Sequence, residues 1–391
     1  MADYSRHPAQ KSEPQAWVLG AIDLVHALTL AGIPVVAVAD PQDPARYSRA
    51  TVAGIERNPS SPRPEAMVDW LLAAAAEQAE QPVLYYDNDW DLLLVSRHRD
   101  RLARGFRFVA APARLVEDLV DKARFHALAA RLGLPVPRTV RCSSREMGDH
   151  GLRYPLVVKP VCRHGTAWSR LVSGKAAHVG DRAGMTVLAE QLDGADLDLL
   201  VQEAVPGPES RVESYHAFVD DQGAVAGEFT GRKLRTYPRT YGYSTAITIT
   251  DDPDVRELGR RIAQTLELRG VAKLDFKRAP DGGLRLLEVN PRFNLWHHPG
   301  ALAGVNLPAL VHADLLGRPA PGSGAVARSG VTWCSPHDLK AARQEGLGVT
   351  QWLRWAIACD AISGFAWDDP FPLPRAALWR ARHRLRRRVP A

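Results

Sequence analysis

The stretch from Val271 to Phe293 constrains the fold of this chain more than any other part of the sequence. It reads VAKLDFKRAPDGGLRLLEVNPRF, with apolar and charged residues alternating before a Pro-Asp-Gly-Gly turn and an apolar run after it. This pattern predicts two short strands joined in a hairpin. A turn centred between Asp281 and Gly282 places Asp275 opposite Glu288. Because residues two apart in a strand share a face, Asp275, Glu288 and Asn290 are expected on one surface.

The oxygen atoms on this predicted face favour a metal site. Two facing carboxylates repel each other unless a cation lies between them. Carboxylate and amide oxygens suit Mg²⁺, or Mn²⁺ in its place, and such an ion also accepts phosphate oxygens. Arg292 follows directly, and its planar guanidinium suits phosphate or carboxylate. The pattern leaves open a simpler alternative, a solvated hairpin with scattered charges.

The distribution of charge argues against a nucleic-acid partner. The 391 residues are enough for two or three domains, and the formal net charge is +6. Seven arginines and no acidic residue lie between Arg375 and Ala391, so the rest of the chain has a net charge of −1. A nearly neutral body predicts no domain-wide nucleic-acid footprint. For the basic tail, a solvated surface helix is favoured over contact with a membrane surface or with nucleic acid.

Cysteine spacing and hydropathy predict a cytoplasmic protein. Cys142, Cys162, Cys334 and Cys359 form no CxxC pair, which favours reduced thiols. No apolar run approaches membrane-spanning length, and the first residues lack the apolar segment of a signal peptide. The oligomeric state remains open.

The N-terminal part of the sequence predicts a parallel sheet. After a polar segment, residues 1–14, which we expect to be disordered, an apolar strand ends at Gly20. A helical pattern to Ala31 and a strand from Ile33 to Ala39 complete a β-α-β unit. Asp87 and Asp89 follow the strand PVLYY, at the edge where open α/β sheets bind ligands, or else they cap the next helix. Residues 106–111 are expected to form a further strand.

The following segments predict a helix, a cation at a strand end and a basic cluster. The helix spans residues 118–132. Lys159 ends an apolar strand directly before Pro160, where a fixed ammonium group suits a phosphate. Arg232, Lys233 and Arg235 follow a second predicted hairpin. Further helices are expected at 254–266, 306–316 and 347–357, with a strand at 331–335.

Five segments in order resemble the ATP-grasp superfamily, and within it the carboxylate–amine ligases of the D-aspartate ligase type. They read DKARFHALAARLGLPVPRT, YPLVVKP, VQEAVPGPE, VAKLDF and LLEVNPRF. The resemblance covers roughly residues 15–317. It implies an α/β fold in which an N-terminal parallel-sheet domain precedes two α+β lobes that clamp ATP. The implied divisions are 15–115 for the first domain, 116–320 for the ATP-grasp domain with its lid lobe at about 138–204, and 321–391 for a C-terminal extension.

The resemblance also implies roles for particular residues. Lys122 and Lys159 would hold ATP phosphates, and Glu209 would accept the ribose hydroxyls. Arg292 would stabilise charge on the transferred phosphoryl group, assisted by Lys233. The loop after Lys159, CRHGTAWSR, is poorer in glycine than is usual in the family. The implied hinge, whose backbone binds adenine with Glu203 near the exocyclic amine, is Gln202, Glu203, Ala204 and Val205, and the implied Mg²⁺ ligands are Asp275, Glu288 and Asn290.

These assignments predict an ATP-dependent carbon–nitrogen ligase that joins a small carboxylic acid, an amino acid or a related acid, to an amine through an acyl phosphate. His297 and His298 would border that site, although a structural role is the alternative. The substrate carboxylate would meet Arg232, Arg235 or Arg292. Two other functions stay open: carboxylation with bicarbonate as the acid, and a non-catalytic nucleotide-binding module.

Overall fold

The computed structural model describes residues 13–57, 63–148, 150–161, 167–172, 174–322, 324–367 and 369–386. These residues form three sheets, two of four strands and one of seven. The first residues of the polar segment expected to be disordered lie outside the described ranges.

The N-terminal sheet is parallel, as the β-α-β pattern predicts, with strand order β3-β2-β1-β4. Residues 106–111 form no strand, since only an isolated bridge joins Arg107 to Val83, so that prediction is wrong. The strands are β1 (Ala16–Leu19), β2 (Val35–Ala39), β3 (Thr51–Glu56) and β4 (Val83–Tyr86), and the helices are α1 (Ile22–Thr29), α2 (Pro64–Ala75), α3 (Asp89–Arg97) and α4 (Arg99–Leu102).

The helix expected over 118–132 is instead the end of one helix and the whole of another. Helix α5 (Ala113–Val120) stops at Asp121, which has extended backbone geometry. The Asp121 side chain then accepts a hydrogen bond from the N–H of Arg124 and caps α6 (Lys122–Arg131). The break places Lys122 in the first turn of a new helix.

The second four-stranded sheet lies within the segment expected to form the lid lobe, with strand order β5-β8-β6-β7. All of its strand pairs are antiparallel. Its strands are β5 (Thr139–Ser143), β6 (Leu156–Pro160), β7 (Ala177–Val179) and β8 (Asp198–Glu203), and its helices are α7 (Trp168–Leu171) and α8 (Arg182–Gln191).

The seven-stranded sheet contains the hairpin predicted from sequence and has the order β13-β12-β9-β10-β11-β14-β15. Its strands are β9 (Val212–Val219), β10 (Val225–Tyr237), β11 (Tyr243–Thr250), β12 (Gly270–Arg278), β13 (Leu284–Asn290), β14 (Thr332–Cys334) and β15 (Ala361–Ile362). The remaining helices are α9 (Pro253–Thr265), α10 (His297–Leu302), α11 (Leu307–Leu315), α12 (Asp338–Gln344), α13 (Val349–Ala358) and α14 (Pro372–Arg386).

Two strands from the predicted C-terminal extension belong to the large sheet. Strands β14 and β15 extend the large sheet at the edge formed by β11. The buried carboxylate of Asp23 in α1 accepts hydrogen bonds from Trp333 Nε1 at 2.8 Å and from Ser363 Oγ at 2.6 Å. The N-terminal sheet and the C-terminal residues are therefore held together by a buried polar contact.

Two helical glycines should respond in opposite ways to substitution by alanine. A Cβ at Gly259 in α9 would overlap the buried ring of Tyr215 on β9, whereas a Cβ at Gly184 in α8 would meet only ordinary contacts, 3.5 Å or more away. Overpacking costs about 1–3 kcal/mol and outweighs the gain in helix propensity of about 1 kcal/mol. We expect G259A to lower the free energy of unfolding, measured in urea, and the control G184A to raise it. A stable G259A would show that α9 can shift away from the sheet.

Candidate functional site

The strand pairing confirms the facing residues predicted for the hairpin. Asp275 on β12 pairs with Glu288 on β13, and Lys273 pairs with Asn290. The turn differs from the expectation, because Arg278 pairs with Leu284, which centres the loop on Asp281. A register shift between Asp275 and Phe276 then restores the predicted pairing. Glu288 therefore shares the face of Asp275 only because of this irregularity.

Asp275 is a buried carboxylate with cationic partners. Its side chain accepts hydrogen bonds from Ser214 Oγ on β9 and, at 2.7 Å, from Lys273 Nζ. Lys233 Nζ on β10 lies 3.5 Å from Asp275 Oδ2. Burial alone would raise the pKa of Asp275, but the ammonium groups of Lys273 and Lys233 hold it well below its usual range. Asp275 is therefore ionised, as a metal ligand must be.

Lys233 is the cation that lies among the acidic side chains of this face. Burial alone would lower its pKa, but the carboxylates of Asp275, Glu288 and Glu209 raise it. Glu288 Oε1 also accepts a hydrogen bond of 3.0 Å from Asn290 Nδ2. A half-turn of the Asn290 amide would present its oxygen instead. Two carboxylates and one amide oxygen thus fit the donor set that Mg²⁺ prefers, with Asp275 shared between metal and ammonium groups.

The two lysines predicted to hold phosphates lie at the same end of β6. Lys159 Nζ donates to Gln202 Oε1 at 3.1 Å, which ties β6 to β8. Lys122 Nζ, from the first turn of α6, donates to the carbonyl of Pro160 at 2.9 Å. The tertiary structure therefore brings two ammonium groups that are far apart in sequence to one strand end. Residues 162–166 of the glycine-poor loop after Lys159 lie outside the described residues.

A cavity of about 690 Å³ lies between the four-stranded sheet of the lid lobe and the seven-stranded sheet. Three residues predicted for nucleotide binding line it, namely Ala204, Val205 and Glu209. Glu209 Oε1 accepts a hydrogen bond of 3.2 Å from Lys277 Nζ, which also lines the cavity. The volume falls within the range of small-molecule sites. The described chain thus has a cleft at the position expected for a nucleotide.

The backbone of the predicted hinge is already partly engaged. The N–H of Glu203 donates to the carbonyl of Arg138, and that of Ala204 donates to the carbonyl of Pro155, both at 2.9 Å. The Glu203 carboxylate accepts the N–H of Arg153 at 3.1 Å. Among the hinge residues outside β8, Val205 alone has a backbone N–H with no hydrogen-bond partner in the described part of the chain. We therefore expect Val205 to supply the hinge donor for a base.

Arg292 contacts the N-terminal domain. Its Nε donates to Asp89 Oδ1 at 2.6 Å, and its Nη1 donates to the carbonyl of Asp87 at 2.8 Å. The cap of helix α3 is Asn88, whose side chain accepts the N–H of Asp91, and neither Asp87 nor Asp89 takes that position. In this structure the guanidinium of Arg292 fixes the β12–β13 hairpin to the end of β4.

Two of the arginines proposed for a substrate carboxylate have other surroundings. Arg232 pairs across the sheet with Glu213 and therefore faces the side opposite to Asp275, whose pairing partner on β9 is Ser214. Arg235 donates to both carboxylate oxygens of Asp338, at 3.0 and 2.6 Å, and its guanidinium lies 4.0 Å from the ring centroid of Trp355. Arg232 therefore lies away from the face that carries Asp275. Arg235 is occupied by an ion pair with Asp338.

Both histidines after the hairpin are buried and lie in the core. His297 packs near the rings of Phe293 and Phe229, and burial lowers its pKa to about 3. His298 Nδ1 lies 3.1 Å from Asp23 Oδ1. Neither imidazole reaches the surface, so the structural alternative describes them better than the substrate role does.

Three residues near the site were not assigned from sequence. Lys273 lies on the same face as Asp275 by the strand alternation, so the pattern contained the signal for it. Ser214 became a partner of Asp275 through strand pairing that has no local signature. Arg239 lines the cavity from the β10–β11 connection, is exposed, and has no ion-pair partner among the described residues.

Two features are absent from the described residues. No cluster of three or more His, Cys, Asp and Glu side chains has a metal-binding arrangement there, and the hairpin site, with two carboxylates and an amide, is not of that type. No helix in the same ranges combines the length and apolar character needed to cross a bilayer.

Asp87 should impose a pH dependence on stability. A Cβ at Gly20 would lie 2.6 Å from its carboxyl carbon, and its Oδ2 accepts the N–H of Ala21 at 2.7 Å. Burial raises the pKa of Asp87 to about 6 from 3.8, so the folded state favours the protonated carboxyl. Its contribution to stability is full below pH of about 4 and is lost as the pH rises through about 6.

The test compares D87N with the wild type in urea between pH 4 and 7. We expect the wild type to lose about 1–3 kcal/mol relative to D87N across this range. D100N, which changes an exposed carboxylate on α4, is the control and should give a profile parallel to the wild type. A difference between D87N and wild type that does not vary with pH would contradict the assignment.

Comparisons with known proteins agree with the geometry. The family model described as ATP-grasp in the biosynthetic pathway with Ter operon matches residues 196–333, which include β12 and β13. A D-aspartate ligase of Enterococcus faecium is 23% identical over 287 residues, covering 69% of this chain and 68% of that protein.

Two solved structures show the same fold. An L-amino acid ligase from Bacillus licheniformis has a TM-score of 0.58 at 16% identity, covering 78% of this chain and 74% of that one. A complex of biotin carboxylase from Campylobacter jejuni with β,γ-ATP has a TM-score of 0.59 at 13% identity, covering 80% and 72%. Two of these three names agree with the prediction of a carbon–nitrogen ligase. The chain has the fold of the ATP-grasp proteins, its residues 196–333 match an ATP-grasp family, and its sequence is similar to that of a D-aspartate ligase.

Proposed function

We propose that this protein is an ATP-dependent ligase that joins a small carboxylic acid, an amino acid or a related acid, to an amine. The carboxylate attacks the terminal phosphorus of ATP, ADP leaves, and an acyl phosphate forms. The amine then attacks the acyl carbon, phosphate leaves, and the amine loses a proton as the amide forms. Phosphorylation is needed because direct attack on a carboxylate would add negative charge to an anion.

One observation carries the proposal: ionised Asp275 and facing Glu288 lie beside two buried ammonium groups near a cleft lined by the hinge. Phosphoryl transfer depends on positioning and charge neutralisation more than on covalent chemistry by the protein. The names of the Enterococcus and Bacillus relatives support the same class of reaction.

Each group of residues at the cleft and on the neighbouring hairpin face would have its own role. Asp275, Glu288 and Asn290 would hold Mg²⁺, which when bound neutralises phosphate charge and orients the terminal phosphate. Lys122 and Lys159 would contact phosphates from the end of β6, and Lys233 would stabilise charge on the phosphoryl group in transfer. Gln202 to Val205 would hold adenine, and Glu209 would accept the ribose hydroxyls.

Arg239 is a better candidate for binding a substrate anion than the arginines considered from sequence. Arg235 is paired with Asp338, and Arg232 lies on the opposite face of the sheet. Arg239 is exposed and lines the cavity. A guanidinium in this position suits a carboxylate or phosphate. We therefore propose Arg239 as a substrate contact in place of Arg232, His297 and His298.

The biotin carboxylase structure favours a second candidate, carboxylation with bicarbonate as the acid. Both reactions use a carboxyl phosphate and the same metal face, so that face does not distinguish them. The two functions differ in the acid that is phosphorylated, which is bicarbonate in one and an amino acid or related acid in the other. A non-catalytic nucleotide-binding role would retain nucleotide affinity with no turnover on either kind of acid.

The first test is ADP release by the full chain with ATP and Mg²⁺ over a panel of amino acids and amines. We expect release that requires both an acid and an amine, because the acyl phosphate is consumed only when an amine attacks it. Replacing the amino acid by bicarbonate tests the second candidate. Nucleotide binding without turnover across the whole panel would favour the non-catalytic role instead.

A second test removes one metal-ligand charge. Glu288→Gln keeps the shape of the side chain, so we expect an unchanged fold by circular dichroism and a decrease in kcat of about 100-fold or more. The control is Asp281→Asn, at the exposed tip of the same hairpin, which should turn over like the wild type. Normal turnover by E288Q would show that the metal assignment is wrong.

A further inference from the structure

Helix α14 and the residues just before it expose an apolar face of their own. One side of the helix packs on the protein, with Pro372 and Ala376 buried. On the other side, Phe371 is 47% exposed and Leu378 is 52% exposed. Trp367, four residues before Phe371, is 61% exposed. Large apolar side chains this exposed on one short segment are unusual for a solvated helix.

Helix α14 is also strongly basic. The side chains of Arg375, Arg380 and Arg382 are exposed, and none has an ion-pair partner among the described residues. The Arg375 guanidinium lies 5.6 Å from the ring centroid of Phe371. No acidic residue follows Arg375 in the sequence, whereas the rest of the chain has a net charge of −1. The basic charge is therefore local, and no intramolecular anion in the described structure neutralises it.

Helical spacing places apolar and basic side chains along one line. Phe371, Arg375, Leu378 and Arg382 are separated by four, three and four residues, the spacing of one helix face. We call these four residues, with Trp367 just before them, the C-terminal basic face; Arg380 projects from the other side of the helix and adds only to its charge. Alternating aromatic, aliphatic and arginine side chains are typical of helices that lie in a membrane interface.

We propose that the C-terminal basic face docks on the surface of an anionic lipid bilayer. Arginines attract anionic headgroups, and Trp367, Phe371 and Leu378 enter the boundary between headgroups and acyl chains. The apolar residues favour lipid over nucleic acid, because a phosphate backbone gives an aliphatic side chain such as Leu378 no apolar phase to enter. The docking is peripheral, consistent with the lack of a spanning helix in the described ranges.

The test is sedimentation of the full chain with phosphatidylcholine vesicles, with and without about one third phosphatidylglycerol. We expect binding to the anionic vesicles that weakens as salt is raised, and little binding to phosphatidylcholine alone. R375Q/R380Q/R382Q and F371S/L378S should each weaken the partition by about tenfold. Circular dichroism and thermal unfolding check that each variant is folded.

Matched control variants remove the same types of side chain from other parts of the surface. R114Q/R182Q/R343Q removes three exposed arginines from other helices or their edges, and L171S/V187S removes two exposed apolar side chains of the lid lobe. Both controls should bind like the wild type. Absence of binding to anionic vesicles, or an equal loss in the controls, would overturn the proposal. Loss of vesicle binding in the arginine variant alone, together with salt-sensitive binding of the protein to duplex DNA, would indicate that the face binds nucleic acid instead.

Discussion

The buried carboxylate of Asp275 is the constraint on which the site depends. An unpaired charge at this depth would cost several kcal/mol, so the fold must supply cations to it. Lys273 comes from its own strand, Ser214 from β9 and Lys233 from β10. Three adjacent strands are thus fixed in register by one side chain. The same registration presents Glu288 beside Asp275, so the charge pairing and the proposed metal site are two consequences of one arrangement.

A second buried carboxylate, that of Asp23, joins the N-terminal domain to segments after the hairpin. Asp23 in α1 contacts His298 after the hairpin and Trp333 and Ser363 near the C-terminus. Arg292 adds a link from the hairpin to the end of β4. Strands β14 and β15 continue the sheet from β11, so the division at 320 predicted from sequence falls between segments that share a sheet.

The arginines and the lysines near the cleft have different roles. Arg235 and Arg292 are held by aspartates in positions that join segments, which leaves the buried lysines as the cations nearest the carboxylates. A compact ammonium group can share a carboxylate with a metal ion, whereas a paired guanidinium is already saturated. This division supports phosphoryl transfer on the hairpin face and points to Arg239 for the substrate anion.

The sequence by itself determined the hairpin and the parallel β-α-β unit, because these follow from residue periodicity over a few positions. It also predicted that Asp275 faces Glu288, although this pairing depends on an irregularity that periodicity does not encode. It did not determine the turn, where the loop is centred on Asp281 and a shift beside Asp275 restores the pairing. The surroundings of Arg232, Arg235, His297 and His298 were decided only by tertiary structure. Their partners, such as Glu213, Asp338 and Asp23, come from distant segments, and no local pattern encodes which strands and helices will meet.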